Sequence, residues 1–142
     1  MNKILDDHIE WPGNQIVDVA FQIHKTLGTG LLEKIYEACF AYELTKREIA
    51  FVTQKRGAIV YDNMTFEEGL RLDLLVDDLI IVEIKAQENY HPVWKDQLLS
   101  YLKLTGKSLG FIVNFTVPLI KDGIKRMILT TSDSLRLSGI KK

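Results

Sequence analysis

The chain has 142 residues, of which 46% are apolar and 26% are charged. This length suits one domain and is short for two. No long charge block or repetitive stretch marks it as disordered, and no apolar run reaches the roughly 18 to 20 residues of a membrane-spanning helix. We therefore predict a single soluble domain over residues 1–142, with an ordered core over about 14–130, no membrane association and a cytoplasmic location.

The charge balance limits how nucleic acid could bind. A net charge of −1 and a pI near 6.3 argue against broad attraction to phosphates, which depends on many lysines and arginines. Any such contact must be local. Dispersed basic residues are more often a solvated surface than a binding patch, and the candidates for a patch are Lys103, Lys107, Lys121, Lys125 and Arg126.

The first part of the chain has helical periodicity. Apolar residues recur at helical spacing from Asn14 to Leu27, after Pro12 and before a glycine-rich turn, and predict a first helix. A second helix is predicted from Leu31 to about Arg47. Cys39 lies on its apolar stripe, which favours a buried thiol over a nucleophile.

The rest of the chain has the pattern of strands around a third helix. A central strand covered on both faces is indicated by the apolar run before Glu83. A helix between two strands favours a parallel crossover. The last dozen residues are expected to be mobile. The predicted strands are Phe51–Tyr61, Phe66–Val76, Leu79–Lys85, Ser108–Phe115 and Ile124–Leu129, and the helix runs from His91 to about Leu104.

Three charged residues interrupt the apolar strands. Glu83 and Lys85 are two apart, so their side chains leave the third strand on the same side. Asp73 lies in the apolar end of the second strand. An unpaired buried charge costs several kcal/mol, so each of these residues needs a partner, a metal or water.

The loop between the second and third strands decides whether the two acids meet. A two-residue loop at Asp77–Asp78 would set Glu83 opposite Leu72 and leave Asp73 on the other face. A three-residue loop or a bulge would set Asp73 directly opposite Glu83. We predict this odd loop or bulge, and a carboxylate pair that Mg²⁺ or Mn²⁺ could bridge, because these hard cations take oxygen ligands.

Polar residues on two helices extend this set. Glu33 projects toward the apolar stripe of the second helix, with Tyr36 one turn later, and could join the acids. On the third helix, Gln97 and Tyr101 are four apart and share a packed face with Trp94 and Leu104. A lone acid or a lone Glu-x-Lys is commonly a structural salt bridge, whereas the combination favours a functional cluster.

At these residues the chain resembles the PD-(D/E)xK phosphodiesterase superfamily. Asp73 matches the first acid of the motif and Glu83-Ile84-Lys85 matches its (D/E)xK element, with Leu72 in place of the usual proline. The resemblance implies an α/β, restriction-endonuclease-like mixed sheet flanked by helices.

Two further signatures narrow the resemblance. Gln97 and Tyr101 are similar to the Gln-x-x-x-Tyr element of RecB-type exonucleases. The segment from Gly30 through Glu33 to Tyr36 resembles the Gly-x-x-Glu-x-x-Tyr signature of a largely uncharacterised bacterial family that bears that name.

The resemblance also implies roles for the site residues. Mg²⁺ or Mn²⁺ would be held by Asp73, Glu83, Glu33 and the carbonyl of Ile84, and Lys85 would orient or activate the attacking water. Gln97 and Tyr101 would position these residues or the nucleic-acid backbone, and Arg71 would contact phosphate.

Two functions of different classes stay open. The first is a metal-dependent nuclease that acts on DNA rather than RNA, and a homodimer is compatible with its small size. The second is a catalytically silent binding or regulatory module of the same fold that acts through a partner. A hydrolase of small phosphorylated molecules is a third option, although no Gly-rich phosphate loop supports nucleotide binding.

Overall fold

The computed structural model describes residues 5–129, which form helices on both sides of one sheet. The predicted mobility of the last dozen residues therefore lies outside the described part of the chain. In chain order the elements are α1 (Asp7–Leu27), α2 (Glu33–Lys46), β1 (Phe51–Tyr61), β2 (Met64–Val76), β3 (Ile80–Lys85), α3 (Val93–Thr105), β4 (Leu109–Asn114), a 3-10 turn (Ile120–Gly123) and β5 (Ile124–Ile128).

The five strands form one mixed sheet in the order β1-β2-β3-β4-β5. Only β3 and β4 pair in parallel, and α3 makes the crossover between them. The other neighbouring pairs are antiparallel. The predicted α/β mixed sheet flanked by helices is confirmed, as is the parallel crossover.

The two faces of the sheet carry separate apolar cores. Leu74 and Val82 pack with α1 and α2 on one face, where Cys39 is partly buried. Leu75 and Ile81 pack with α3 on the other face. All of β3 before Lys85 is buried, which confirms its predicted central place.

Close packing brings α3 onto the sheet near the site. A Cβ added at Gly110 of β4 would lie 2.8 Å from Leu98 of α3, so a glycine is needed for this approach. Gly106 ends the helix with a left-handed φ of 74°. These two glycines fix where α3 lies and where it stops.

The first helix begins earlier than the sequence indicates. It starts at Asp7 rather than near Asn14, and Pro12 lies inside it rather than before it. Proline removes one amide from the helical hydrogen-bond pattern, which normally ends a helix. Here Pro12 and Gly13 are buried and Gly13 approaches Leu109 of β4, so packing outweighs the lost hydrogen bond.

No helix within residues 5–129 has both the length and the apolar character needed to cross a bilayer.

Candidate active site

The loop between β2 and β3 sets the register of the site. Three residues, 77–79, separate the paired residues Val76 and Ile80. Both aspartates in this loop have positive φ angles, of 55° and 56°, a region that aspartate enters more readily than most residues. The predicted odd loop is confirmed, and its register sets Asp73 opposite Glu83.

Crossed hydrogen bonds join the two acids at the seam between β2 and β3. The Asp73 amide donates to Glu83 Oε2 at 3.1 Å, and the Ile84 amide donates to Asp73 Oδ2 at 2.9 Å. The regular pairing of the strands stops one residue earlier, so carboxylate oxygens take the place of backbone carbonyls here. Asp73 and Glu83 are only 5% and 4% exposed, and both carboxylates lie in the same seam.

Burial determines the charge of this pair. Desolvation, followed by the charge of Asp73, raises the pKa of Glu83 to about 8, although the Asp73 amide, Lys85 and Arg71 act in the opposite direction. Without additional positive charge the pair therefore holds a proton near neutral pH. A divalent cation would favour the fully ionised pair.

Lys85 lies on the same side of β3 as Glu83, as the spacing predicts. Its ammonium nitrogen is 5.5 Å from the centre of the Trp94 ring on α3. The contact with the ring restricts a side chain that otherwise has many rotamers. Lys85 is thus half-buried beside the acids, where its charge lowers the pKa of Glu83.

Tyr101 and Gln97 form a pair on α3 near the acids. Burial, and then the charge of Glu83, raise the pKa of the Tyr101 hydroxyl, whereas Arg71 and the neighbouring Gln97 act in the opposite direction. The prediction of a packed face is wrong for Gln97, which is exposed, and for Leu104, which is 52% exposed. The packed face of α3 is formed by Trp94, Leu98 and Leu102, so Gln97 and Leu104 lie off that face.

The loop before α2 is fixed by Tyr36. Its hydroxyl donates to the Gly28 carbonyl at 2.7 Å and accepts the Leu31 amide at 3.2 Å. The ring is fully buried and stacks on Phe115, with ring centres 4.4 Å apart. Gly30 has a φ of 92°, so the turn requires a residue without a Cβ. Gly30 and Tyr36 together set the point where α2 begins.

Glu33 is the first residue of α2, and its side chain is accessible to solvent. Partial burial, and then the charge of Asp73, raise its pKa, while Lys85 lowers it. These interactions place Glu33 within electrostatic range of the site. Within residues 5–129, however, no three His, Cys, Asp or Glu side chains lie close enough together to hold an ion by themselves.

A chain of side chains that sequence reasoning missed connects α2 to Asp73. Both Glu37 carboxylate oxygens accept the Gln54 amide nitrogen, at 2.9 and 3.1 Å. The Gln54 oxygen accepts Arg71 Nη1 at 2.8 Å, and Arg71 Nη2 lies 4.0 Å from Asp73 Oδ1. Glu37 lies one helical turn after Glu33, and this spacing is the feature of the sequence that could have indicated that Glu37 is near the site.

The donor atoms at the seam suit a hard divalent cation. Asp73 and Glu83 supply carboxylate oxygens, and the Ile84 amide points to β2. In a strand the carbonyl of a residue points to the same neighbour as its amide, so the Ile84 carbonyl faces the acids as well. Mg²⁺ is commonly bound by one or two carboxylates and completed by water and phosphate oxygens, which is compatible with this set.

Two of the five basic residues considered for a nucleic-acid patch are paired with acids. Lys107 Nζ is 3.4 Å from Asp78 Oδ1, and Arg126 Nη2 is 2.9 Å from Glu10 Oε2. The ammonium of Lys125 lies instead near the Tyr90 ring. The five residues therefore do not act as one patch.

Comparisons with known proteins identify the family and the fold. The family model described as PD-(D/E)XK nuclease superfamily matches residues 12–127. Among solved structures, one described as "Crystal structure of SSO0001" is 18% identical, has a TM-score of 0.53, and is matched over 92% of this chain and 67% of that chain. At this identity the likeness concerns the fold alone. No curated protein matches the chain. The finer resemblance to the Gly-x-x-Glu-x-x-Tyr family stays a prediction.

Proposed function

Because the chain belongs to the PD-(D/E)XK nuclease superfamily, we propose that it is a metal-dependent nuclease that cleaves DNA at the seam between β2 and β3. The observation that carries this proposal is the buried pair Asp73 and Glu83, linked by a hydrogen bond of 3.1 Å beside Lys85. Two neighbouring buried acids repel each other and destabilise a fold. Such a pair is expected at an active site, where the charged groups take part in the reaction.

The residues at the seam would hold Mg²⁺ or Mn²⁺. Asp73, Glu83 and the Ile84 carbonyl would be the protein ligands, with Glu33 at the rim of the site. A bound ion would supply positive charge for the reacting phosphate and lower the pKa of the attacking water.

The other side chains act on the water and the phosphate. Lys85, whose ammonium lies 5.5 Å from the centre of the Trp94 ring, would orient or activate the attacking water. Arg71 is held at the rim by Gln54, and its planar guanidinium suits a phosphate oxygen pair. Tyr101, whose pKa is raised, stays a neutral hydroxyl donor that positions the substrate backbone together with Gln97.

The experiment is a DNA cleavage assay with Mg²⁺ or Mn²⁺. We expect the wild type to nick or degrade DNA, and Asp73→Asn or Lys85→Ala to lower the rate at least about 100-fold, the scale of a lost catalytic group. Asp62→Asn is the matched control, since Asp62 is an exposed acid in the turn between β1 and β2. Full activity of Asp73→Asn, with a normal unfolding curve, would contradict the proposal.

A silent binding module is the second candidate. It is favoured by the small size and the net charge of −1, which leave little basic surface around a nucleic-acid substrate. Titration calorimetry separates the two candidates. Binding of Mn²⁺ by the wild type but not by Asp73→Asn supports the nuclease, whereas no binding at millimolar Mn²⁺ supports the module.

A further inference from the structure

Two neighbouring aromatic side chains with a lysine at each end, the Lys-aromatic row, lead from the candidate active site to the surface. It begins at Lys85, whose ammonium lies 5.5 Å from the centre of the Trp94 ring. Trp94 meets Tyr90 edge to face, with ring centres 5.2 Å apart and planes at 77°. The ammonium of Lys125 on β5 lies 5.6 Å from the centre of the Tyr90 ring.

The two aromatic residues of the row differ in exposure. Trp94 is 7% exposed and belongs to the core on the α3 face, whereas Tyr90 is 38% exposed. Tyr90 is therefore partly accessible to solvent, although Trp94 and the Lys125 ammonium both lie beside its ring. Edge-to-face packing of this kind fixes the orientation of the outer ring.

The loop that carries Tyr90 is held by a buried amide. Asn114 is 2% exposed, and its Nδ2 donates to the Gln87 carbonyl at 2.8 Å. The Gln87 amide donates back to Asn114 Oδ1 at 3.1 Å. These two bonds hold Gln87 in place, in the segment that connects Lys85 to Tyr90.

We propose that Tyr90 is a stacking platform for an unpaired nucleobase beside the cleaved phosphate, so that the substrate strand is single-stranded or frayed at this point. This inference rests on the proposed nuclease function. A base inside a duplex has both faces covered by its neighbours, whereas an unpaired base can stack on an exposed ring. Lys85 and Lys125, at the two ends of the row, are placed for the phosphates on either side of that base.

The charge of the chain supports this mode of binding. With 18 Lys and Arg against 19 Asp and Glu, the protein has no overall excess of positive charge with which to attract a duplex through many phosphate contacts. Stacking adds affinity that does not depend on net charge. Burial, and then the charge of Asp96, raise the pKa of the Tyr90 hydroxyl, whereas the Lys125 ammonium lies 5.6 Å from the centre of its ring.

The experiment measures cleavage and binding of single-stranded DNA by Tyr90 variants. We expect Tyr90→Ala and Tyr90→Leu to raise KM about 5- to 150-fold with a smaller change in kcat, since this is the range for loss of one stacked base. Tyr90→Phe should behave as the wild type, because stacking does not need the hydroxyl. Tyr90→Leu keeps apolar bulk against Trp94 and so guards against loss of the fold.

Tyr42→Ala is the matched control. Tyr42 is also an exposed tyrosine, 64% accessible, with the Lys46 ammonium 5.5 Å from its ring centre. It lies on α2 in contact with none of the site residues described above, and its removal should leave KM unchanged. An equal rise in KM for both alanine variants would overturn the role of Tyr90.

Substrates with a single abasic nucleotide give the sharpest test. At one position beside the cleavage site, removal of the base should weaken the wild type as much as Tyr90→Ala does, and the two losses should not add. Losses that add at every position would overturn the platform while leaving the nuclease function intact. If the wild type neither binds nor cleaves any DNA, the nuclease function fails as well.

Discussion

Asp73 and Glu83 are buried acids that lie where the regular pairing of β2 and β3 ends. The carboxylate of each takes the place of a backbone carbonyl as a hydrogen-bond acceptor. Each carboxylate accepts one amide from the facing strand, which is a charge-assisted hydrogen bond. These bonds do not remove the repulsion between two adjacent carboxylates. A proton or a cation must do so, and the protonation of Glu83 therefore affects the stability of the whole domain.

Glu83 should make the metal-free protein less stable as the pH rises. The pKa of Glu83 is about 8 in the folded protein, against 4.5 in the unfolded chain, so the folded state holds a proton that the unfolded state has lost. The stabilisation is fully present below about pH 4.5 and is lost as the pH rises through about 8, with a total on the order of a few kcal/mol.

Urea unfolding in EDTA between pH 5 and pH 9 tests this linkage. Glu83→Gln carries a neutral side chain of the same shape, so the variant should gain stability relative to the wild type as the pH increases. A constant difference between the two proteins over this range would show that Glu83 ionises normally.

At the scale of elements, side chains of β1 and β2 stop alternating regularly between the two faces of the sheet near Asp73. Leu72 and Leu75 of β2 pack on the same α3 face although they are three apart, so the alternation of the strand breaks between them. Gln54 faces this break from β1 and has a φ of 51°. Left-handed backbone at a residue other than glycine is costly and often marks a functional position.

Gln54→Asn should separate the conformation of Gln54 from its contacts. Asparagine tolerates a positive φ, but it is too short to bridge Glu37 and Arg71. We expect a change in unfolding free energy below about 1 kcal/mol, because these bonds are partly exposed, and a rise in KM for DNA with little change in the binding of Mn²⁺. Unchanged KM would show that Gln54 does not position Arg71 for the substrate.

The sequence was sufficient for features set by local chemistry and insufficient for those set by packing. β1 begins and ends where its pattern predicts, and the odd loop follows from the need to bring Asp73 to Glu83. Pro12 lies inside α1 rather than before it, because the buried contact of Gly13 with β4 outweighs the tendency of proline to end a helix. Gln54 gave no signal, since a glutamine in a half-exposed strand acquires its role only when α2 and β2 meet around it.

At the scale of the whole molecule, an ion pair joins the first helix to the last strand. Arg126 Nη2 on β5 lies 2.9 Å and 3.1 Å from the two carboxylate oxygens of Glu10 on α1. Glu10 is 8% exposed, and both of its carboxylate oxygens accept hydrogen bonds from Arg126. The pair links residues 116 positions apart and does not contact the acids at the seam. Its loss should therefore affect stability and not catalysis.

Arg126→Ala should lower the free energy of unfolding by roughly 2 to 4 kcal/mol, because it leaves a buried carboxylate unpaired, while kcat on DNA stays unchanged. Arg56→Ala is the control, since Arg56 pairs with Glu68 at 3.7 Å with both side chains more than half exposed, and such a pair contributes less than about 1 kcal/mol. Urea unfolding of both variants measures the difference.

The double variant Glu10→Gln, Arg126→Ala should recover part of the loss, because no charge is then left without a partner in the interior. Equal losses for Arg56→Ala and Arg126→Ala, or no recovery in the double variant, would show that the first helix is held to β5 by apolar packing rather than by this pair.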